Sequence, residues 1–161
     1  MKPRVVVSRC LGFEACRYNG EKVDSSEVDE LRSLVEFITV CPEAEAGLGV
    51  PRQPINLQKR GDRLRVIQAD TGIDLTEELV SHIDETLTGL RDVDAFILKA
   101  WSPSCGLGST KVWDPNGENI VGQGSGVFAC EAQRRFPGSV FLDEEELQRI
   151  GVEGFLRLLE A

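Results

Sequence analysis

Three cysteines of this chain follow three separate β-rich runs, and their thiols are the groups best suited to chemistry. Cys10 follows the run that begins at Val5, Cys41 follows the run from Glu36 to Val40, and Cys105 lies in a Ser-Pro-Ser-Cys-Gly turn after the run ending at Leu98. Because the carboxyl ends of parallel strands meet at the sheet edge where ligands bind, we expect these three thiols to converge. The sequence therefore predicts a thiol-rich site at that edge.

The other two cysteines and the single histidine fit this site less well. Cys16 lies in a Gly-rich polar loop with no strand to position it, although it can approach Cys10. Cys130 falls within a predicted helix and is interpreted as structural, since free cysteine is among the most buried residue types. His82 is predicted on a helix surface, which argues against a catalytic cysteine–histidine pair.

Strands and helices alternate along the chain and would position these groups. Strands are predicted at residues 4–8, 36–40, 94–98 and 139–142, with a hairpin over 55–69 turning at Gly61-Asp62. A first helix is predicted after a cap at Asp24, Ser25 or Ser26, and a second from Glu77 to about Leu90 with Thr76 as its cap. A third helix is predicted to open at Gly124-Ser125-Gly126 and to run to about Phe136. A final helix follows the cap Asp143 and is broken near Gly151. Residues 42–45 are expected in a loop, and 107–123 in an excursion that turns at 114–117. The order predicts an α/β protein, a single three-layer Rossmann-like domain over residues 1–161 with a mainly parallel sheet and the site at its C-terminal strand ends.

Composition limits the function classes. The chain has 161 residues, 41% of them hydrophobic, and a formal net charge of −9, which argues against binding to a nucleic acid polymer. No apolar stretch is long enough to cross a membrane, and no secretory signal precedes the first strand, so a cytoplasmic protein is expected. Five cysteines is an odd count, which favours metal binding or catalysis over a disulfide framework. The oligomeric state does not follow from the sequence.

Three thiolates can serve two kinds of metal site. Zinc takes four protein ligands in structural sites, or three and a water in catalytic ones, and is commonly held by close C-x-x-C pairs, which this chain lacks. A [4Fe–4S] cluster takes up to four cysteinyl sulfurs, and three ligands leave one iron open as a Lewis acid. Spacing alone ranks the cluster only modestly above zinc.

Several motifs resemble the thiouracil desulfidase family, which is mainly bacterial. The matching blocks are Cys10-Leu11-Gly12, Cys16-Arg17-Tyr18-Asn19-Gly20, Val40-Cys41-Pro42-Glu43, residues 47–52, Ser102-Pro103-Ser104-Cys105-Gly106 and Gly124-Ser125-Gly126-Val127. They span about residues 5 to 130, and the Ser-Pro-Ser-Cys-Gly block is quite specific. Some relatives carry a further C-terminal domain and act on thiolated nucleosides, so this bare domain is similar to the form that acts on the free base.

The resemblance implies a [4Fe–4S] cluster that works without redox turnover and is bound by Cys10, Cys41 and Cys105. The open iron would bind the sulfur of 2-thiouracil, or of a related thiolated pyrimidine. Hydrolysis would then give uracil and hydrogen sulfide, with a small-molecule thiolated base as the partner.

Two further side chains are candidates for catalysis. Hydrolysis needs a base, and Glu45 is the first choice with Glu43 as the competitor. Ser102 can orient the substrate or pass a proton, with Ser104 as second choice. Glu43 can instead brace the Cys41 loop, Ser102 can satisfy a turn amide, and Arg52 can meet a substrate oxygen or anchor its loop.

Two other functions remain open on the same residues. A dehydratase-like lyase would also use an open iron as Lewis acid, but it would act on a hydroxy acid. An iron–sulfur or zinc module that senses oxygen or hands on sulfur would need no base, so a Glu45→Gln change would leave its function intact.

Overall fold

The apolar runs of the sequence form parallel strands at the centre of the computed structural model, which describes residues 1–161. In chain order the elements are β1 (Arg4–Ser8), α1 (Ser26–Leu31), β2 (Glu36–Val40), α2 (Pro42–Glu45), β3 (Ile55–Arg60), β4 (Arg63–Gln68), α3 (Thr76–Thr88), β5 (Ala95–Leu98), β6 (Thr110–Trp113), β7 (Ile120–Gly124), α4 (Val127–Arg135), β8 (Val140–Asp143) and α5 (Glu144–Glu160). The order confirms the predicted α/β class. None of the helices is both long and apolar enough to span a membrane.

The first sheet is entirely parallel and has the strand order β2-β1-β5-β8. Val6 of β1 lies opposite Ile38 of β2 and Phe96 of β5. Because all four strands run the same way, the residues that follow β1, β2 and β5 emerge at one edge. That edge carries the three predicted cysteines.

Alternating residues of the central strands enter two different cores, which explains why these runs are apolar throughout. Val5, Val7 and Ile97 pack in one cluster with α1 and α5. Val6, Phe96 and Leu98 pack in the other cluster with α3, α4 and the second sheet. The central sheet is therefore covered on both faces, as the three-layer prediction requires.

A second four-stranded sheet, in the order β4-β3-β6-β7, adds to the predicted hairpin. The β3–β4 hairpin is confirmed, and β6 pairs with β3 in parallel while β7 pairs antiparallel with β6. The expectation of an irregular excursion over 107–123 is wrong in this respect, although the turn at 114–117 is confirmed by a hydrogen bond from the Gly117 N–H to the Asp114 carbonyl. The strand at β7 escaped prediction because it is largely exposed and contains two glycines, so it has no apolar alternation.

Two predicted caps and one predicted break are confirmed. The Ser25 hydroxyl accepts from the Val28 N–H, the Asp143 carboxylate accepts from the Glu146 N–H at 2.8 Å, and Gly151 interrupts α5 with a φ of 73°. Thr76 is not the cap of α3, because it lies within the helix and its hydroxyl accepts from the Val66 N–H of β4. Because Thr76 is buried against the β3–β4 hairpin, its hydroxyl meets the Val66 N–H instead of an N–H of its own helix.

Candidate functional site

The carboxyl ends of β1, β2 and β5 open into a cavity of about 730 Å³, which the second sheet lines from the other side through β3 and β6. Cys10, Cys41 and Cys105 all line this cavity, so the structure brings the three predicted thiols to one place. Cys10 and Cys105 are buried and Cys41 is partly exposed, and none forms a disulfide.

Cys16 is a fourth thiol of the same cavity, which the sequence interpretation had set aside. Cys16 is buried, and the Cys41 thiol donates to its carbonyl oxygen at 3.7 Å. Its loop is held without a strand, because Arg52 donates from Nη1 to the Cys16 carbonyl at 2.9 Å and the Val23 N–H donates to the Cys10 carbonyl at 2.7 Å. The local feature that favours the approach of Cys16 to Cys10 is Gly12, whose φ of 90° lets the chain turn back after Cys10.

The surroundings raise the pKa values of three of these thiols, those of Cys16, Cys41 and Cys105. Burial raises the pKa of Cys105 to about 12, although hydrogen bonds with the hydroxyls of Ser8 and Ser102 act in the opposite direction. The hydrogen bond with Cys10 raises the pKa of Cys16 to about 11, and the contact with Cys16 followed by burial raises the pKa of Cys41. A bound cation would favour the thiolate forms, as metal ions do for coordinated thiols.

A buried ion pair links the segments that carry the cysteines. Glu43 accepts from Arg52 Nε at 3.1 Å on one carboxylate oxygen and from the Ser104 hydroxyl at 2.7 Å on the other. Arg52 also donates to the carbonyls of Cys16 and Gly49. Glu43 therefore braces the Cys41 segment and Arg52 anchors its loop, which were the structural alternatives for both residues.

Glu45 is held next to Cys41 by a local turn. Residues 42–45, expected in a loop, form the single helical turn α2, which Pro42 begins. The Glu45 carboxylate accepts from the Cys41 N–H at 3.0 Å, and its second oxygen lies 3.8 Å from Arg9 Nη2. Glu43 is among the residues that line the cavity, whereas Glu45 is adjacent to them and 28% exposed at its side chain.

Ser102 shapes the turn that presents Cys105. Its hydroxyl oxygen accepts from the N–H groups of Ser104 and Cys105, at 3.1 and 3.0 Å. Ser102 and Ser104 both line the cavity, but the Ser104 hydroxyl already donates to Glu43.

The first turn of α4 also binds the segment that carries Cys105. Its free N–H groups donate to the carbonyls of Pro103 and Ser104, and the Gly126 N–H donates to the Gly106 carbonyl. A Cβ on Gly126 would lie 2.3 Å from the Ser104 carbonyl carbon, so only glycine allows this approach. The Gly-rich block before α4 thus serves to position Cys105.

The lining of the cavity is more cationic than the rest of the chain. Its charged residues are the single carboxylate Glu43 and five cations, Arg9, Arg17, Arg52, Lys99 and Lys111. Four of these cations have ion-pair partners, whereas Lys111 has none. Lys111 is therefore the one lining cation whose charge is free to attract a negatively charged group of a ligand.

Comparisons with known proteins agree with this geometry. Residues 5–145 match the model of a family described as 2-thiouracil desulfurase. "Uncharacterized protein YbbK" of Bacillus subtilis (strain 168) is 31% identical over 154 residues, which are 91% of this chain and 99% of that protein. A solved structure of the [4Fe-4S]-dependent thiouracil desulfidase TudS is 27% identical, with a TM-score of 0.71 over 96% of this chain and 99% of that one. A family match over most of the chain, with its motifs placed around one cavity, shows that the protein belongs to the 2-thiouracil desulfurase family.

Proposed function

We propose that the protein hydrolyses a thiolated pyrimidine such as 2-thiouracil to the oxygenated base and hydrogen sulfide, and that Cys10, Cys41 and Cys105 hold a [4Fe–4S] cluster for this reaction. The observation that carries the proposal is the convergence of these cysteines from three parallel strand ends onto one cavity. Family membership and the similarity to TudS, whose name specifies this cluster and this activity, support it.

The donor set fits such a cluster. The cavity offers thiols and no histidine, and thiolates are the usual ligands of iron–sulfur clusters. When bound, the cluster would supply a Lewis-acidic iron that polarises the carbon–sulfur bond of the substrate.

Glu45 is the proposed general base that takes a proton from the attacking water. The Cys41 N–H orients its carboxylate, and the oxygen facing Arg9 at 3.8 Å has no closer donor and is free to accept. Both oxygens of the competitor Glu43 already accept, from Arg52 and from Ser104. These contacts favour Glu45 as base and Glu43 as support.

Ser102 is the proposed group that orients the substrate or passes a proton. Its oxygen accepts from two backbone N–H groups, and its hydroxyl also lowers the pKa of the Cys105 thiol by hydrogen bonding, so it is placed beside a proposed cluster ligand. Ser104 is less suitable because its hydroxyl proton is engaged by Glu43.

The charge of the cavity bears on the form of the substrate. Lys111, the one lining cation without an ion-pair partner, favours a thiolated pyrimidine that carries negative charge, either as the thiolate of the base or through a phosphate. Comparing kcat/KM for 2-thiouracil and for its nucleoside monophosphate, at low and high salt, separates the two forms. A salt-sensitive preference for the monophosphate would favour the phosphate.

The cluster is tested by iron and acid-labile sulfide analysis of protein purified without oxygen. We expect about four of each per chain, lost in Cys105→Ala and retained in the control Cys130→Ala, whose thiol is exposed and lies outside the cavity. One tightly bound zinc and no iron would contradict the proposal.

The base is tested by the matched pair Glu45→Gln and Glu43→Gln. Glu45→Gln should keep the iron content and lower kcat by roughly 10²- to 10⁴-fold, the usual contribution of a general base. Normal turnover of Glu45→Gln would exclude this carboxylate as the base. A loss confined to Glu43→Gln would assign the role to Glu43.

A further inference from the structure

The aromatic residues of the chain are divided between core and cavity by type. Both tryptophans and the only tyrosine line the cavity, at Trp101, Trp113 and Tyr18, while none of the seven phenylalanines does. Tryptophan and tyrosine suit surfaces that are apolar on one side and wet on the other. The cavity thus concentrates flat aromatic surface where a planar ligand can bind.

Trp101 is held rigidly although 49% of its surface is exposed. Its indole N–H donates to Glu145 at 2.6 Å, and its backbone N–H donates to the Ser109 hydroxyl at 2.9 Å. The neighbouring Glu144 pairs with Lys99 at 2.8 Å and accepts from the Ala100 N–H. The first turn of α5 therefore fixes the whole segment after β5.

The backbone at Trp101 is strained. Its φ of 69° is in the left-handed region, which is unfavourable for residues with a Cβ. Such conformations persist where the surroundings impose them, and they are concentrated at ligand sites. Trp101 is thus half-exposed, strained and hydrogen-bonded, and it lines the cavity, where a ligand can reach it.

We propose that Trp101 is the surface against which the pyrimidine ring stacks, and that it makes the enzyme selective for planar rings. This inference rests on the proposed function. Trp101 directly precedes Ser102, and both residues line the same cavity as Cys105. Tyr18 is less available, since the Arg17 guanidinium lies over its ring at 5.9 Å.

The test compares uracil with 5,6-dihydrouracil, which has the same polar edge but a puckered ring. Binding of both to the cluster-loaded enzyme is measured by equilibrium dialysis, together with kcat and KM for 2-thiouracil. The variants are Trp101→Leu, Trp101→Phe, which keeps a smaller ring, and the control Phe13→Leu, an aromatic residue that packs on Phe37 outside the cavity. Iron content and circular dichroism confirm that each variant is loaded and folded.

Trp101→Leu should weaken uracil binding and raise KM by roughly 5- to 100-fold, the range that base–aromatic stacking contributes. It should also abolish the preference for uracil over dihydrouracil, whereas Trp101→Phe should keep part of that preference and the control Phe13→Leu all of it. A merely structural role would weaken both ligands equally.

Two results would overturn the inference in distinguishable ways. If the wild type desulfurates 2-thiouracil and Trp101→Leu still prefers uracil as strongly, the stacking role is wrong and the proposed function stands. If the wild type neither binds uracil nor releases sulfide from 2-thiouracil, both fail together.

Discussion

At the level of residues, the site combines four thiols with one buried ion pair. Glu43 and Arg52 have side-chain exposures of only 11% and 5%, and their hydrogen bonds reach the segments of Cys16, Cys41 and Cys105. No buried side-chain nitrogen or oxygen is left without a partner. The network therefore holds the three cysteine-bearing segments together. Its loss should lower the free energy of unfolding more directly than it lowers the reaction rate.

Removal of one member of this pair should be strongly destabilising. Glu43→Ala leaves the Arg52 charge buried without its carboxylate partner, and the loss of such a partner typically costs about 3–5 kcal/mol of unfolding free energy. The double variant Glu43→Ala/Arg52→Ala should lose less than the sum of the single changes, as measured by urea denaturation. Arg149→Ala, which breaks the exposed Arg149–Glu146 pair, is the control and should cost less than about 1 kcal/mol. Strict additivity of the Glu43 and Arg52 effects would show that the pair is not coupled.

The cluster-free protein should show a clear order of cysteine reactivity. Cys16, Cys41 and Cys105 have raised pKa values, so little thiolate is present at pH 8 and alkylation by iodoacetamide should be slow. Labelling of the exposed Cys130 should be the fastest. Mass spectrometry after increasing times measures the order, and the slow cysteines should react faster as pH rises. Equal labelling of Cys105 and Cys130 at pH 8 would contradict it.

At the level of elements, helix α4 holds the turn that carries Cys105 in place. Four backbone hydrogen bonds join it to the segment around Cys105, donated by the N–H groups of Gly126, Val127, Phe128 and Ala129. Since backbone donors meet backbone acceptors here, the arrangement depends on how closely the two segments approach. Gly126 sets that approach.

Gly126→Ala should disturb the position of Cys105. The added Cβ would meet backbone atoms of Ser104 and Cys105 at 2.3–2.7 Å, and these cannot move aside as a flexible side chain would. Overpacking of this kind costs about 1–3 kcal/mol of unfolding free energy, and we expect iron content to fall with it. Gly122→Ala is the control, because nothing lies within 4 Å of its Cβ. Wild-type iron content in Gly126→Ala would show that the turn tolerates the shift.

At the level of the whole molecule, both sheets share one core. The cluster that contains Val6 and Phe96 of the first sheet also contains Leu57, Val66 and Val112 of the second. We therefore propose that residues 1–161 form one domain that unfolds in a single transition. Circular dichroism and tryptophan fluorescence should then give the same midpoint.

Acid should lower that midpoint. Hydrogen bonds from arginines hold the pKa values of Glu77, Glu131 and Glu146 below their ordinary range. A carboxyl with a lowered folded-state pKa contributes stability above its unfolded pKa of about 4.3, and this contribution is lost as pH falls through the folded value. Urea midpoints should thus be higher at pH 7 than at pH 3.5, with a smaller difference in 1 M salt because the pairs are exposed. An unchanged midpoint at pH 3.5 would contradict this linkage.

Local patterns in the sequence were sufficient for the central sheet and its cysteines. The runs at Val5–Val7 and 95–98 are apolar at every position because both faces of the sheet are covered, and that pattern is visible without a structure. The caps at Ser25 and Asp143 and the break at Gly151 are equally local, since each depends on residues within about one helical turn. Parallel strands with a cysteine after each one then placed Cys10, Cys41 and Cys105 at a common edge.

The remaining features of the fold and the site depend on contacts between residues that are far apart in the sequence, and no local pattern encodes such contacts. Glu43 meets Ser104 across 61 positions and Arg52 meets the Cys16 carbonyl across 36. The same holds for Thr76, whose hydroxyl bonds β4 rather than its own helix, and for β7, which is a strand only because β6 lies beside it. The sequence by itself determined the central sheet and the positions of its thiols, because periodicity and chain direction are properties of short segments. Only the tertiary structure brought Cys16 to the other thiols, paired Glu43 and formed the cavity, because each of these depends on which segments pack together.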